Sequence, residues 1–133
     1  MPLTTDLVDQ VEQAGITARP ADSASLIFHG APDVFSTMAL GGLIEATAAR
    51  WLERQIGDTE TSVGAQIVVN HTAATPIGMD VTAEVRVVAI DGRRVDFEWT
   101  ARDTKEQVGH GTHTRFVLDR ERFLTRLSDK ATS

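Results

Sequence analysis

The chain has 133 residues, with 13 Lys and Arg against 19 Asp and Glu, a formal net charge of −6 with histidine neutral. That balance argues against nucleic-acid binding, which needs a basic face to neutralise phosphates, and 5% aromatics without tyrosine provide no base-stacking platform. Cysteine is absent, so disulfides, thiolate-held metals and thiol nucleophiles are excluded, and a cytoplasmic setting fits.

The length suits a single domain over residues 1–133. No apolar run approaches the ~20 residues of a membrane span, and Met1 to Val11 lack the basic flank and apolar stretch of a secretory signal. Near the start, Leu7, Val8, Val11 and Ala14 recur at helical spacing. A first helix is therefore expected, capped by Thr4 or Thr5 and ended by Gly15. Ile16 to Ala18 reads as extended up to Pro20, and Ser25 to Phe28 as a short strand or turn.

Asp33 to Ile56 is predicted as one long helix, started by Pro32-Asp33 and stopped by Gly57-Asp58. Leu40, Leu43, Ile44, Thr47, Ala48, Trp51, Leu52 and Ile56 form a broad apolar stripe along it. At ~1.5 Å per residue the helix would run about 36 Å. Gly41 and Gly42 each cost about 1 kcal/mol relative to alanine inside a helix, so close approach by another backbone is expected there.

Everything beyond reads as four strands. Ser62 to Thr72 is the first. Met79 to Ile90 alternates Val81, Ala83, Val85 and Val87 against polar residues. Asp91-Gly92 marks a tight hairpin, and Arg93 to Asp103 then alternates Val95, Phe97, Trp99 and Ala101. Gln107 to Leu118 returns, followed by a short terminal helix over Asp119 to Leu127 capped by Asp119. An antiparallel meander with one apolar face must cover that face. The long helix is the only element large enough, which gives an α+β architecture of a sheet with a helix packed on it.

Several polar residues stand out on chemistry. Glu45 is flanked by Leu43, Ile44, Ala46 and Ala48, and a carboxylate in such surroundings needs a partner or a use. It serves a site or faces a subunit boundary. Thr37 lies eight residues earlier, and because two turns take ~7.2 residues the two side chains fall within about 80° of one another. Thr37, or its neighbour Ser36, is equally suited to capping the helix. His71 closes a strand and suits acid–base work near neutrality, or is an ordinary surface or core histidine. His110 and His113, three apart, fall on opposite faces of a strand, so no metal site is expected. Arg93, Arg94, Arg115, Arg120 and Arg122 offer cations for a phosphorylated ligand.

The segments Val34-Phe35-Ser36-Thr37 to Glu45, Val69-Asn70-His71-Thr72-Ala73-Ala74-Thr75-Pro76, and Gly109 to His113 with Arg115 resemble the fluoroacetyl-CoA thioesterase family. The likeness runs from about Val34 to Phe123, and His-Thr-Ala-Ala-Thr-Pro is its most specific part. It implies a hot-dog fold, an antiparallel sheet wrapped around a long central helix. It implies an acyl-CoA substrate, no cofactor, a homodimer with sites at the subunit boundary, and a catalytic set of Thr37, Glu45 and His71. It also implies that Gly64 and Arg115 line the acyl pocket. The segment before the helix, His29-Gly30-Ala31-Pro32 with Phe28 and Phe35 nearby, departs from the family's aromatic-rich lid. A non-catalytic acyl-CoA binding protein and an enoyl-CoA hydratase are the competing expectations.

Overall fold

The computed structural model describes residues 3–132. Five strands form one antiparallel sheet: β1 (Val11–Thr17), β2 (Glu60–His71), β3 (Asp80–Asp91), β4 (Arg94–Asp103) and β5 (Gln107–Asp119), in the spatial order β1-β3-β4-β5-β2. Helix α1 (Thr37–Glu53) lies on its inner face, and α2 (Arg120–Thr132) follows the last strand.

The helix expected near the start is instead strand β1. Ala14 and Ile16 alternate with exposed neighbours, and the strand pairs with β3 from Val11↔Arg86 to Thr17↔Asp80. Asp9 adopts φ 75°, a left-handed conformation that interrupts a helix, and its N–H bonds to Val87 O at 2.8 Å. Pairing along the edge of β3 has overridden the local periodicity. Only Thr5–Leu7 makes a single 3-10 turn. Ser25 to Phe28 lies in and just beyond another such turn, Ala24–Leu26, which follows one at Pro20–Asp22.

Helix α1 is shorter than the sequence implies, 17 residues or about 26 Å. Residue 33 is a bend, and residues 34–36 are held extended by Phe35 N–H to Thr75 O at 2.9 Å and by bridges Val34↔Pro76 and Ser23↔Phe35. Ser36 is the N-cap, its Oγ accepting from Ala39 N–H at 3.0 Å. That releases Thr37 from capping.

One face of α1 places Leu40, Leu43, Ile44, Ala48, Trp51 and Leu52 against Val81, Val85, Val87, Val95, Phe97 and Trp99 of the sheet. Trp51 meets Phe97 edge-on at 5.8 Å between centroids. The other face is open: Met38 is 69% exposed, and Gly42, Glu45 and Ala46 are exposed beside it. A Cβ at Gly41 would make only ordinary contact with Val69 and Ile67, and one at Gly42 would meet nothing from outside the helix within 4 Å. The expected close backbone approach is therefore not made inside the chain.

The four later strands form where the sequence placed them, and β3 and β4 keep the alternation read for them. Gly92, at φ 59°, turns the β3–β4 hairpin. Asp119 caps α2 by accepting from Arg122 N–H at 2.9 Å, and α2 runs on to Thr132. On β5, a Cβ at Gly111 would stand 1.8 Å from Val68 O. This gap lets Trp99 reach across the strand and donate its indole N–H to the same oxygen at 3.2 Å.

Candidate active site

Two clusters form on the helix side of the sheet. The first joins the start of α1 to the end of β2, where Thr37 Oγ1 and His71 Nδ1 stand 2.8 Å apart. The cap at Ser36 and the loop after β2 fix both groups. In that loop Thr75 is fully buried and donates to Asp103 Oδ2 at 2.9 Å, while Asp103 Oδ1 accepts from Lys105 and Glu106 N–H at 2.8 and 3.0 Å. The motif His71 to Pro76 thus places an imidazole at one end and anchors itself to the β4–β5 turn at the other.

A cleft of about 280 Å³ opens beside this pair, lined by Ala24, Val34, Phe35, Thr37, His71 and Ala73. His71 Nε2 is buried without a hydrogen-bond partner. Burial lowers the His71 pKa below its ordinary value, against an opposing pull from the Ala73 backbone. The ring is therefore neutral at pH 7 and able to accept a proton. A larger hollow of about 430 Å³ on the outer face of the sheet contains none of the expected site residues. Its Arg86 is already engaged by Asp9 and Glu98, each at 2.7 Å.

The second cluster gathers around Gly64 on β2. A Cβ there would lie 3.2 Å from Arg115 Nη1, 3.3 Å from Glu45 Oε1 and 3.3 Å from His113 Cε1. A bulge between Gly64 and Gln66 shifts the β2–β5 register at this point. Arg115 is 7% exposed, donating from Nε to Ser62 Oγ at 3.1 Å and from Nη2 to Ser62 O at 3.3 Å. Its burial pushes the guanidinium pKa down, and the Glu45 carboxylate draws it back up.

The structure thus brings Thr37 to His71, and Glu45 to Gly64 and Arg115. Within one chain it does not bring Glu45 to the histidine, since eight helical residues separate Glu45 from Thr37 by about 12 Å along the axis. His113, read from the sequence only as half of a rejected metal pair, is 1% exposed, bonds to Arg115 and borders the space over Gly64. Its place two residues before Arg115 on one strand, and so on the same face, was the available signal. His110 is exposed on the opposite face, as the spacing required. Of the expected phosphate-binding cations, Arg93 pairs with Glu60 at 3.3 Å and Arg94 with Asp96 at 3.1 Å.

The model of the fluoroacetyl-CoA-specific thioesterase family matches residues 19–121. The chain belongs to that family. It is 36% identical over 99 residues to the fluoroacetyl-CoA thioesterase of Streptantibioticus cattleyicolor, covering 74% of this chain and 71% of that protein. A solved structure of a fluoroacetyl-CoA thioesterase superposes with a TM-score of 0.89 at 30% identity, covering 92% of this chain and 96% of the other. A hot-dog-like protein from Thermanaerovibrio acidaminovorans, 23% identical, matches the fold with a TM-score of 0.87 over 94% of each chain. Family membership accounts for the helix-in-sheet architecture, and both clusters lie inside the matched segment.

Proposed function

We propose that the protein hydrolyses a small acyl-CoA thioester to the free acid and CoA, using Thr37, His71 and Glu45. The observation that carries this reading is the half-buried His71, with Nδ1 on Thr37 and a buried, unpartnered Nε2 beside a cleft. With its proton on Nδ1 and donated to Thr37 Oγ1, the ring offers the Nε2 lone pair to a water molecule. That water loses a proton to Nε2 as its oxygen attacks the thioester carbonyl. The tetrahedral oxyanion gains from the first-turn amides and positive end of α1. Collapse breaks the carbon–sulfur bond, and the Nε2 proton passes to the departing thiolate. Glu45 orients the water, or attacks the carbonyl itself to give an anhydride that water then opens. Gly64 and Arg115 line the acyl pocket, and no cofactor takes part.

We place the complete site at the boundary of a homodimer. Strand β2 pairs only with β5, so its other edge is free to pair. Val68 on that strand is 42% exposed, and on the helix side Ile67 and Val69 adjoin Gly41, beside the uncovered Met38, Gly42 and Glu45 face of α1. A two-fold mate seated there brings Glu45 of one protomer toward Thr37 and His71 of the other. Among the described residues no helix is long and apolar enough to cross a membrane, and the reading is of a cytoplasmic enzyme acting on CoA esters.

The test is thiol release from a panel of acyl-CoAs. Wild type is expected to release CoA, and His71→Ala to lower kcat by about 10²–10⁴, the usual scale of a general base. Full turnover by the variant would refute the role. Binding of the esters without thiol release would favour a non-catalytic binding protein.

A further inference from the structure

His113 is buried at 1% exposure, stacked 6.1 Å from Phe97, and bonded through both ring nitrogens. Nδ1 lies 2.8 Å from Gln66 O, and Nε2 lies 3.3 Å from Arg115 Nη1. Chemistry settles the proton's position. A guanidinium has donors and no acceptor, so Arg115 must donate and Nε2 must accept. A carbonyl only accepts, so Nδ1 must carry the hydrogen and give it to Gln66 O. The ring is thus a neutral relay that turns the bulge carbonyl of β2 into a hydrogen-bond acceptor aimed at Arg115.

We infer that His113 is a positioning residue for the Arg115 guanidinium, holding it at Gly64 with its remaining N–H donors turned toward the acyl pocket. Three bonds hold the fork: Ser62 Oγ at Nε, Ser62 O at Nη2 and His113 at Nη1. The two Ser62 bonds lie on one side of the guanidinium, and His113 supplies the third point that stops it pivoting. Both ends of that support start on β2, at Ser62 and at the Gln66 carbonyl, on either side of the bulge. A buried cation held by neutral acceptors keeps its charge available for a bound acyl group. Glu45 of α1 is the charged neighbour across Gly64.

This inference rests on Arg115 lining the acyl pocket, and two substitutions separate it from simple core packing. His113→Asn keeps a donor for Gln66 O but is too short to reach Arg115. His113→Gln reaches the Nε2 position with an amide oxygen that accepts from Arg115. Thiol release is measured for both, for Arg115→Ala and for the Arg115→Ala/His113→Asn pair, with melting curves for each. Positioning requires His113→Asn to raise KM about ten-fold with kcat nearly unchanged, His113→Gln to stay within about two-fold of wild type, and the double variant to match Arg115→Ala. Equal KM effects of Asn and Gln, or additive effects in the pair, would overturn it. Loss of all thiol release by wild type would instead strike the thioesterase reading. An Arg115→Ala variant with unchanged KM would overturn the acyl-pocket assignment and this inference together. If the Asn variant fails to fold, KM for His113→Gln set against Arg115→Ala decides: a Gln variant as impaired as Arg115→Ala overturns the relay.

Discussion

Replacing Gly64 with alanine separates the acyl pocket from the fold that carries it. The backbone of Gly64 is not in the left-handed region, so alanine meets no conformational strain. The added methyl meets Arg115 Nη1 at 3.2 Å, Glu45 Oε1 at 3.3 Å and His113 Cε1 at 3.3 Å. Each contact is short of an ordinary one by a few tenths of an ångström, and two of the three partners are buried. Overpacking typically costs about 1–3 kcal/mol, and loss of glycine freedom in the unfolded chain returns about 0.4–1 kcal/mol. The net loss is then about 1 kcal/mol, or a few degrees of Tm for a chain this size.

Activity should suffer more. The methyl wedges between the carboxylate and the guanidinium that face one another across the glycine. Since a misplacement of about 1 Å can cost 10²-fold in rate, kcat/KM should fall about ten-fold or more. Thiol release and a thermal melt on one preparation give both numbers. A folded variant with kcat/KM within about two-fold of wild type would show that the three side chains around Gly64 do not bound the acyl pocket.

The same substitution at Gly111 should act the other way. Its Cβ would meet backbone, Val68 O at 1.8 Å, and dislodge the Trp99 bond to that oxygen, so a loss of about 3 kcal/mol or more in urea unfolding is expected. For the composite site, mixing inactive Glu45→Gln and His71→Ala proteins under exchange should restore about a quarter of wild-type turnover, since half the dimers are mixed and each has one intact site. No recovery after confirmed exchange would place the catalytic set within one chain. Both His71 and His113 have pKa values lowered mainly by burial, so the unfolded chain binds protons more readily than the folded one. Their contribution to stability is full above the unfolded value of about 6.5 and is lost as pH falls through the lower folded values. Urea midpoints that stay flat from pH 7 to pH 5 would contradict this. Asp103 is held below the usual carboxylate range, its burial outweighed by bonds from Lys105, Thr75 and Glu106. Asp103→Ala should free the Thr75 loop and lower both Tm and turnover, which a melt and thiol release would register together.

The sheet was legible because β3 and β4 alternate strictly and Asp91-Gly92 can hardly be anything but a hairpin. Strand β1 was not, because Leu7, Val8, Val11 and Ala14 imitate a helix and only the edge of β3 decides otherwise. Thr37 and His71 could be proposed from residue type and motif. Their 2.8 Å contact depends on Ser36 taking the cap and on Thr75 locking the loop, neither of which local pattern reveals. Glu45 was singled out for its apolar flanks; the structure exposes it on the uncovered face of α1, and its neighbours come from β2 and β5, far along the chain. His113 looked like half of a rejected metal pair; its place two residues before Arg115 put the two on one face, and its bonds to Gln66 O and Arg115 appear only once β2 and β5 are paired.

The absence of tyrosine leaves two indoles as the molecule's ultraviolet chromophores of note, in unlike settings. Trp51 donates to Gln10 at 3.0 Å, away from the open edge, while Trp99 donates to the Val68 carbonyl on the edge strand itself. Val68 sits where a second copy would pair, so association should alter the emission of Trp99 more than that of Trp51. If the proposed dimer forms, the protein carries a label-free optical gauge of that assembly, readable by dilution alone.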